Sequence, residues 1–401
     1  MKKIYYGKAV YDNKEIKAVL DVLKNSSLTL IDGPKVKKLE KIVSKLFGKK
    51  YGLMVNSGSS ANLLGLSSFN FKKGSEVITP NLTFSTTVAP IYQLGLTPHF
   101  IGVEKDKFIA DTSHIEKCIN KKTVAIMIPN LLGNIADWRI INQIAKKHKL
   151  KVIEDSADTI GYSIKGNNTG KLSDITTNSF YASHIINGAG TGGIVCFNDF
   201  KLYERAKLLR GWGRSSAIFN ESENINKRFN LKISGIDYDS KYIFSDLGYN
   251  FLPSELSAAF ALEQIKKLKN NIKIRNNNFE YLKNFFHKYN KFFKLPKQSK
   301  GVKTPWLAFP LVILENKIFN RKKLQIFFEK NKIQTRTIFT GNILRQPVMK
   351  NRKYKKYQGC EVVADDVMKN GILLGCHQGL KNNDLKYICN TFEKFLKHEN
   401  Y

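Results

Sequence analysis

Three short stretches of this chain carry side chains that do chemistry. The first is Asn56-Ser57-Gly58-Ser59-Ser60-Ala61-Asn62, lying between an apolar run and a helix-like run. Small residues let the backbone approach an anion closely, and the N–H groups at a helix start bind its oxygens. This suits a phosphate monoester, although a serine there also serves as a plain helix cap. No GK[ST] follows, so it is not a Walker loop. The second is Glu154-Asp155, closing the run KVIED. A carboxylate at the carboxyl end of a parallel strand stands where ligands bind. There it either caps the next helix or pairs with a protonated pyridine nitrogen, turning the ring into an electron sink. The third is Ser179-Phe180-Tyr181-Ala182-Ser183-His184, followed by a glycine-rich run from Gly188 to Gly193. Gly188, Gly190 and Gly193 satisfy GxGxxG in form. The match is mid-chain, another strand follows at once, and LLRGWGRSS downstream lacks the ribose-binding acid, so a dinucleotide site is rejected. Further on come Gly248-Tyr249-Asn250, the segment Thr335-Arg336 through Asn342, and Gly375-Cys376-His377-Gln378. Each of these alone reads equally as a turn or cap.

These residues need a scaffold, and the apolar runs describe one. Runs at 51–55, 76–80, 98–103, 123–129, 151–155, 177–182 and 193–197 read as strands, several of them separated by helical stretches such as 138–149. The alternation predicts an α/β fold with a mostly parallel sheet. Residues 14–47 read as two helices split by LTLIDGP. From Glu255 a long amphipathic helix begins, and strands mix with helices thereafter. A boundary in GYNFLPSEL divides the chain into a large domain, 1–252, and a smaller α+β domain, 253–401.

Composition narrows the function classes. The 401 residues are 42% hydrophobic and 25% charged, which excludes a disordered chain. No apolar run is long enough for a membrane span, and the charged start predicts no secretory leader. The five cysteines stand far apart without a CxxC, so neither a disulfide framework nor a metal site is expected, and a reducing cytoplasm is. The net charge of +33 comes mostly from lysines scattered as pairs. With no arginine cluster and no nucleic-acid motif, it reads as a solvated surface that attracts anionic small substrates.

Taken together and in order, the motifs resemble the DegT/DnrJ/EryC1/StrS family of sugar aminotransferases, from IDGP at 31–34 to CHQGL at 376–380. The resemblance implies a fold-type I, pyridoxal-phosphate-dependent enzyme. Ordinary members carry a cofactor-linking lysine four residues after the Phe of an SF motif. Here that place is His184, and no lysine occurs between Lys171 and Lys201. The departure, with FYxxHI, TGNxLRQP and the late HQ, resembles the branch of 3-dehydratases acting on nucleotide-linked 4-keto-6-deoxy sugars, the GDP-mannose-derived enzymes in particular. CDP-linked relatives hold an iron–sulfur cluster on cysteines near the strand-end ED and the WGR motif. Here those places are cysteine-free, and no Cys lies between 197 and 359, so no cluster is expected.

The resemblance implies a role for each matching position. Gly58, Ser59, Ser60 and Ser179 would hold the cofactor phosphate. Asp155 would pair with the pyridine nitrogen, Phe84 would stack on the ring, and Asp158 would lie near its 3-hydroxyl. Asn250 would reach the cofactor of a partner subunit, giving a homodimer with shared sites. Arg336, Asn342 and His377 would contact substrate or support those that do. An imidazole cannot bond covalently to the cofactor aldehyde, so the amine form, pyridoxamine phosphate, would be free to act on a GDP- or CDP-linked sugar, with L-glutamate as amino donor. His184, with an ordinary pKa of about 6.5, would serve as base and then acid. The alternatives are a nucleotide-sugar aminotransferase and a cluster-free CDP-linked 3-dehydrase fed by a reductase.

Overall fold

The computed structural model describes residues 3–25, 30–164, 167–168, 170–218, 224–299 and 301–399. Of the stretch LTLIDGP, Leu28 and Thr29 lie outside these. Helices α1 (Asn13–Asn25) and α2 (Pro34–Leu46) flank it. Pro34 opens α2, where its missing N–H costs nothing. The next two N–H groups, of Lys35 and Val36, donate to the Glu255 carboxylate at 3.0 and 2.8 Å.

The apolar runs form strands β1 (Tyr51–Val55), β2 (Glu76–Pro80), β3 (Thr97–Ile101), β4 (Thr123–Pro129) and β5 (Lys151–Asp155). Strands Ile175–Ser179 and Gly193–Phe197 follow. Across the sheet the order is β1, 193–197, 175–179, β5, β4, β2, β3 and the edge strand Lys355–Lys356. Strand 193–197 is antiparallel to both neighbours, and the other pairings are parallel. Strands β2, 175–179 and 193–197 are buried along their whole length, which explains why they read as continuous apolar or small-residue runs rather than alternating ones.

The strand expected to reach residue 182 stops at Ser179. Its antiparallel neighbour starts at Gly193, directly opposite Ser179, so the ladder has no partner further on. The chain leaves the sheet in a tight turn in which the His184 N–H bonds the Tyr181 carbonyl at 3.0 Å.

A smaller antiparallel sheet, Phe293–Lys294, Phe309–Ile313 and Gly371–Leu374, lies in the C-terminal part. The 33-residue helix Glu255–His287 connects the two regions. Its first half buries Ala258, Ala261 and Leu268 in a core with large-sheet residues, and its second half buries Phe279, Leu282 and Phe286 with Trp306 and Phe309. Each such phenylalanine contributes roughly 2 kcal/mol of apolar burial. The start of the chain joins this second region: Ile4 bridges Ile333 and is buried in the same core.

Candidate active site

The carboxyl ends of the parallel strands open into a cavity of about 1040 Å³. Placement there follows from chain direction, because each parallel strand hands its next residues to that edge. The segment after β2 supplies Phe84, β5 supplies Asp155 and Asp158, strand 175–179 supplies Ser179 and His184, and the helix after β1 supplies Gly58 and Ser59.

That helix, α3 (Gly58–Ser67), is capped by Ser57, whose Oγ accepts the Ser60 N–H at 3.1 Å. Two close approaches pack its start against the sheet. A Cβ on Gly58 would stand 2.5 Å from the Ser179 Cβ, and one on Gly193 would stand 2.4 Å from the Ser57 carbonyl oxygen. Glycine at both positions brings the helix N–H groups and the Ser179 hydroxyl to one spot. Ser60 does not line the cavity; its hydroxyl is 2.9 Å from Ser57 Oγ, so it braces the cap.

Adjacent strand residues point to opposite faces, and this separates the two acids of KVIED. Glu154 is fully buried among Asn130, Ser156, Tyr162 and the Gly170 N–H. Asp155 lines the cavity. Its Oδ2 accepts from Asn62 Nδ2 and Thr87 Oγ1, both at 2.8 Å, and its Oδ1 accepts from the Ala157 N–H at 3.1 Å. Burial pushes its pKa up, against these hydrogen bonds. No cation stands among these partners, so a protonated ring nitrogen would supply the missing counter-charge. Burial raises the Asp158 carboxyl to about 7, opposed by the Leu132 N–H at 2.8 Å and helped by the neighbouring Asp155 charge. The Phe84 ring is half exposed and meets Phe339 edge-on, with centroids 6.0 Å apart.

His184 Nδ1 lies 3.3 Å from the Ser179 carbonyl oxygen. A carbonyl only accepts, so Nδ1 carries the hydrogen and Nε2 keeps its lone pair. Burial lowers the imidazole pKa to about 4; the Ser179 carbonyl opposes the shift and the Arg275 charge adds to it. The ring is therefore neutral at pH 7, with the Nε2 lone pair free. Among the described residues no lysine lines the cavity.

The structure does not bring every expected residue to this cavity. Asn342 is fully buried: its Nδ2 donates to Asp365 at 2.7 Å and its Oδ1 caps the Leu344 N–H at 3.1 Å. His377 is 2% exposed, with Nε2 donating to the Tyr5 carbonyl at 3.1 Å and Nδ1 accepting the Gly379 N–H at 3.2 Å. In both, the side-chain polar atoms are already engaged inside the protein. Arg336 does line the cavity. Asn250 is exposed and lies away from it in the single chain.

Four residues had been given no role. Asn62 and Thr87 hold Asp155; Asn62 follows Ser59 by one helical turn, a spacing visible in the sequence. Tyr6 lines the cavity from the start of the chain. Arg275 is fully buried in the long helix, and its acceptors among the described residues are neutral: Gln378 Oε1 at 2.7 Å, the Trp306 and Leu307 carbonyls at 3.2 and 3.1 Å, and the His184 carbonyl at 3.3 Å. It fastens the main chain of the histidine turn to both regions of the molecule.

The donor set fits a pyridoxal-type phosphate: a cradle that a Cβ would fill, a buried uncompensated carboxylate, and an exposed aromatic face beside them. Comparison with known proteins agrees. The model of the DegT/DnrJ/EryC1/StrS aminotransferase family matches residues 10–393. A lipopolysaccharide biosynthesis protein, RfbH, of Salmonella typhimurium is 35% identical over 89% of this chain and 84% of its own. A GDP-4-keto-6-deoxy-D-mannose 3-dehydratase of Yersinia pseudotuberculosis is 30% identical over 96% and 97%. A solved GDP-4-keto-6-deoxymannose-3-dehydratase with a trapped PLP-glutamate geminal diamine superposes with a TM-score of 0.86 at 27% identity, covering 97% of this chain and 99% of that one.

Proposed function

Because the chain belongs to the DegT/DnrJ/EryC1/StrS aminotransferase family, we propose that it is a pyridoxamine-phosphate-dependent 3-dehydratase of a nucleotide-linked 4-keto-6-deoxy sugar. The sugar would lose its C3 oxygen and ammonia would be released, with glutamate as the source of the next amine. One observation carries this reading: a neutral histidine, His184, occupies the cofactor turn, and among the described residues no lysine faces the cavity. A GDP-linked sugar is the first substrate to test, given the names of the similar enzymes.

Gly58, Ser59 and Ser179 would bind the phosphate, Asp155 would hold the ring nitrogen in its protonated form, and Phe84 would offer its face to the ring. When bound, the cofactor supplies an amine for the 4-keto group and a ring that accepts an electron pair. His184 takes a proton at Nε2 and returns it to the departing C3 hydroxyl, while its Nδ1–H stays on the Ser179 carbonyl and keeps the ring oriented. Asp158, its carboxyl raised to about 7, donates or accepts a hydrogen bond near the ring oxygen.

A second copy of the chain completes the site in this reading. Exposed apolar residues gather between Phe229 and Leu247, the latter 93% exposed, beside the exposed Asn250. A homodimer that covers them would carry Asn250 to the partner's cofactor. Division at 252/253 is part of the same proposal, with the long helix as the join. No helix among the described residues is long and apolar enough to cross a membrane. The five cysteines are free and buried, which supports a cytoplasmic setting.

The test is incubation with pyridoxal phosphate, glutamate and a panel of GDP- and CDP-linked 4-keto-6-deoxy sugars. Ammonia release with loss of one oxygen from the sugar, read by mass spectrometry, is the expected result. A stable amino sugar without ammonia overturns it in favour of an aminotransferase. Turnover only after addition of a reductase points to the electron-fed dehydrase.

A further inference from the structure

The chain start is built into the site. Ile4 pairs with Ile333, the Gln334 N–H donates to the Ile4 carbonyl at 2.8 Å, and the Tyr6 N–H donates to Gln334 Oε1 at 3.1 Å. The Tyr5 carbonyl is held by His377 Nε2. Gly375 lies so close that a Cβ there would be 2.7 Å from the Tyr5 oxygen and 3.0 Å from the Tyr6 oxygen. A Cβ on Gly7 would be 2.7 Å from the Cβ of Ser183, the neighbour of His184. These contacts fix Tyr6 and the residues on either side of it, and its side chain lines the cavity.

Among the described residues the Tyr6 hydroxyl has no hydrogen-bond partner. Its ring lies 6.0 Å from the Arg336 guanidinium. Burial, with the charge of Asp158, raises the phenol pKa far above neutrality, against the Arg275 and Arg336 charges. The group is thus a permanent donor. The phosphate and the ring nitrogen already have their partners at Gly58, Ser59, Ser179 and Asp155, which leaves the sugar for this donor.

We propose that Tyr6 is a substrate-binding residue that donates its phenolic hydrogen to an oxygen of the hexose held beside His184. This rests on the 3-dehydratase reading and names a contact within it. Tyr6→Phe deletes the donor while keeping the ring and its packing on Arg336.

Three readouts are compared between the parent and Tyr6→Phe. The first is the spectral change from pyridoxal to pyridoxamine phosphate with glutamate, the second is kcat/KM for ammonia release from the sugar, and the third is calorimetric binding of the nucleotide sugar. The expected result is an unchanged glutamate reaction, kcat/KM lower by about tenfold or more, and weaker sugar binding, as for loss of one buried hydrogen bond. Unchanged kcat/KM overturns the proposal, and so does an equal loss in both half-reactions, which marks a packing role. If the parent releases no ammonia from any sugar, the 3-dehydratase reading fails and binding alone decides on Tyr6. Affinity lower by about fivefold or more in the variant then sustains the contact, while equal affinity or no binding to either protein overturns it.

Discussion

Polar residues at the large sheet's strand ends and two from the C-terminal motifs have opposite fates, although Arg336 of the latter region also lines the cavity. Asp155, Ser179 and His184 follow parallel strands and face the cavity. Asn342 and His377 sit in motifs just as distinctive, yet both are spent internally, on Asp365 and on the Tyr5 carbonyl. The difference teaches that the segments leaving the parallel strand ends place the chemistry here, whereas Asn342 and His377 secure the chain around it. Tyr6 is the case in point, since His377 secures the segment that delivers it.

The comparison breaks most visibly at His184. His184→Ala removes the proton carrier, and ammonia release should fall by about 10²–10⁴-fold while pyridoxamine phosphate still binds. A variant retaining most activity returns the histidine to a structural role. Asp155→Asn keeps the shape and deletes the charge; turnover should drop on the order of 10²-fold. If the variant matches its parent in single-turnover assays, the ring nitrogen has no need of that carboxylate. Gly58→Ala forces a methyl into the space of the Ser179 side chain, and cofactor affinity, measured by titration, should weaken about tenfold.

On the other side of the comparison, His377→Ala should cost about 1–3 kcal/mol of stability in denaturant unfolding, through the orphaned Tyr5 carbonyl and Gly379 N–H. A raised sugar KM at unchanged stability would instead make it a ligand contact. The smallest effect is shared by both regions. His184 and His377 each have a pKa lowered to about 4 by burial. Below about 6.5 the unfolded chain takes up protons that the folded chain refuses, so Tm should decline as pH falls from about 6.5 to 4. A flat Tm over that window contradicts buried neutral rings.

Much of this was legible before any coordinates. The runs 51–55, 76–80, 123–129, 151–155 and 193–197 end where the strands end, because each holds an apolar stretch that stops at a breaker or a charge. The expectation at Ser179 overran, since a strand stops where its partner stops, and that partner is set by pairing across the sheet. Of the site, the residues on strand ends could be read locally. Arg275 could not: its acceptors lie 31, 32, 91 and 103 positions away. Tyr6 was equally hidden, with its support 328 positions on.

Arg275 grips the backbone oxygen of residue 184 and reaches its side chain only through charge, with no hydrogen bond to the ring. Anchorage at that position therefore does not depend on which side chain the residue carries. One functional group can be exchanged for another on the same mount without rebuilding what holds it, so a change of reaction type here needs no change of architecture.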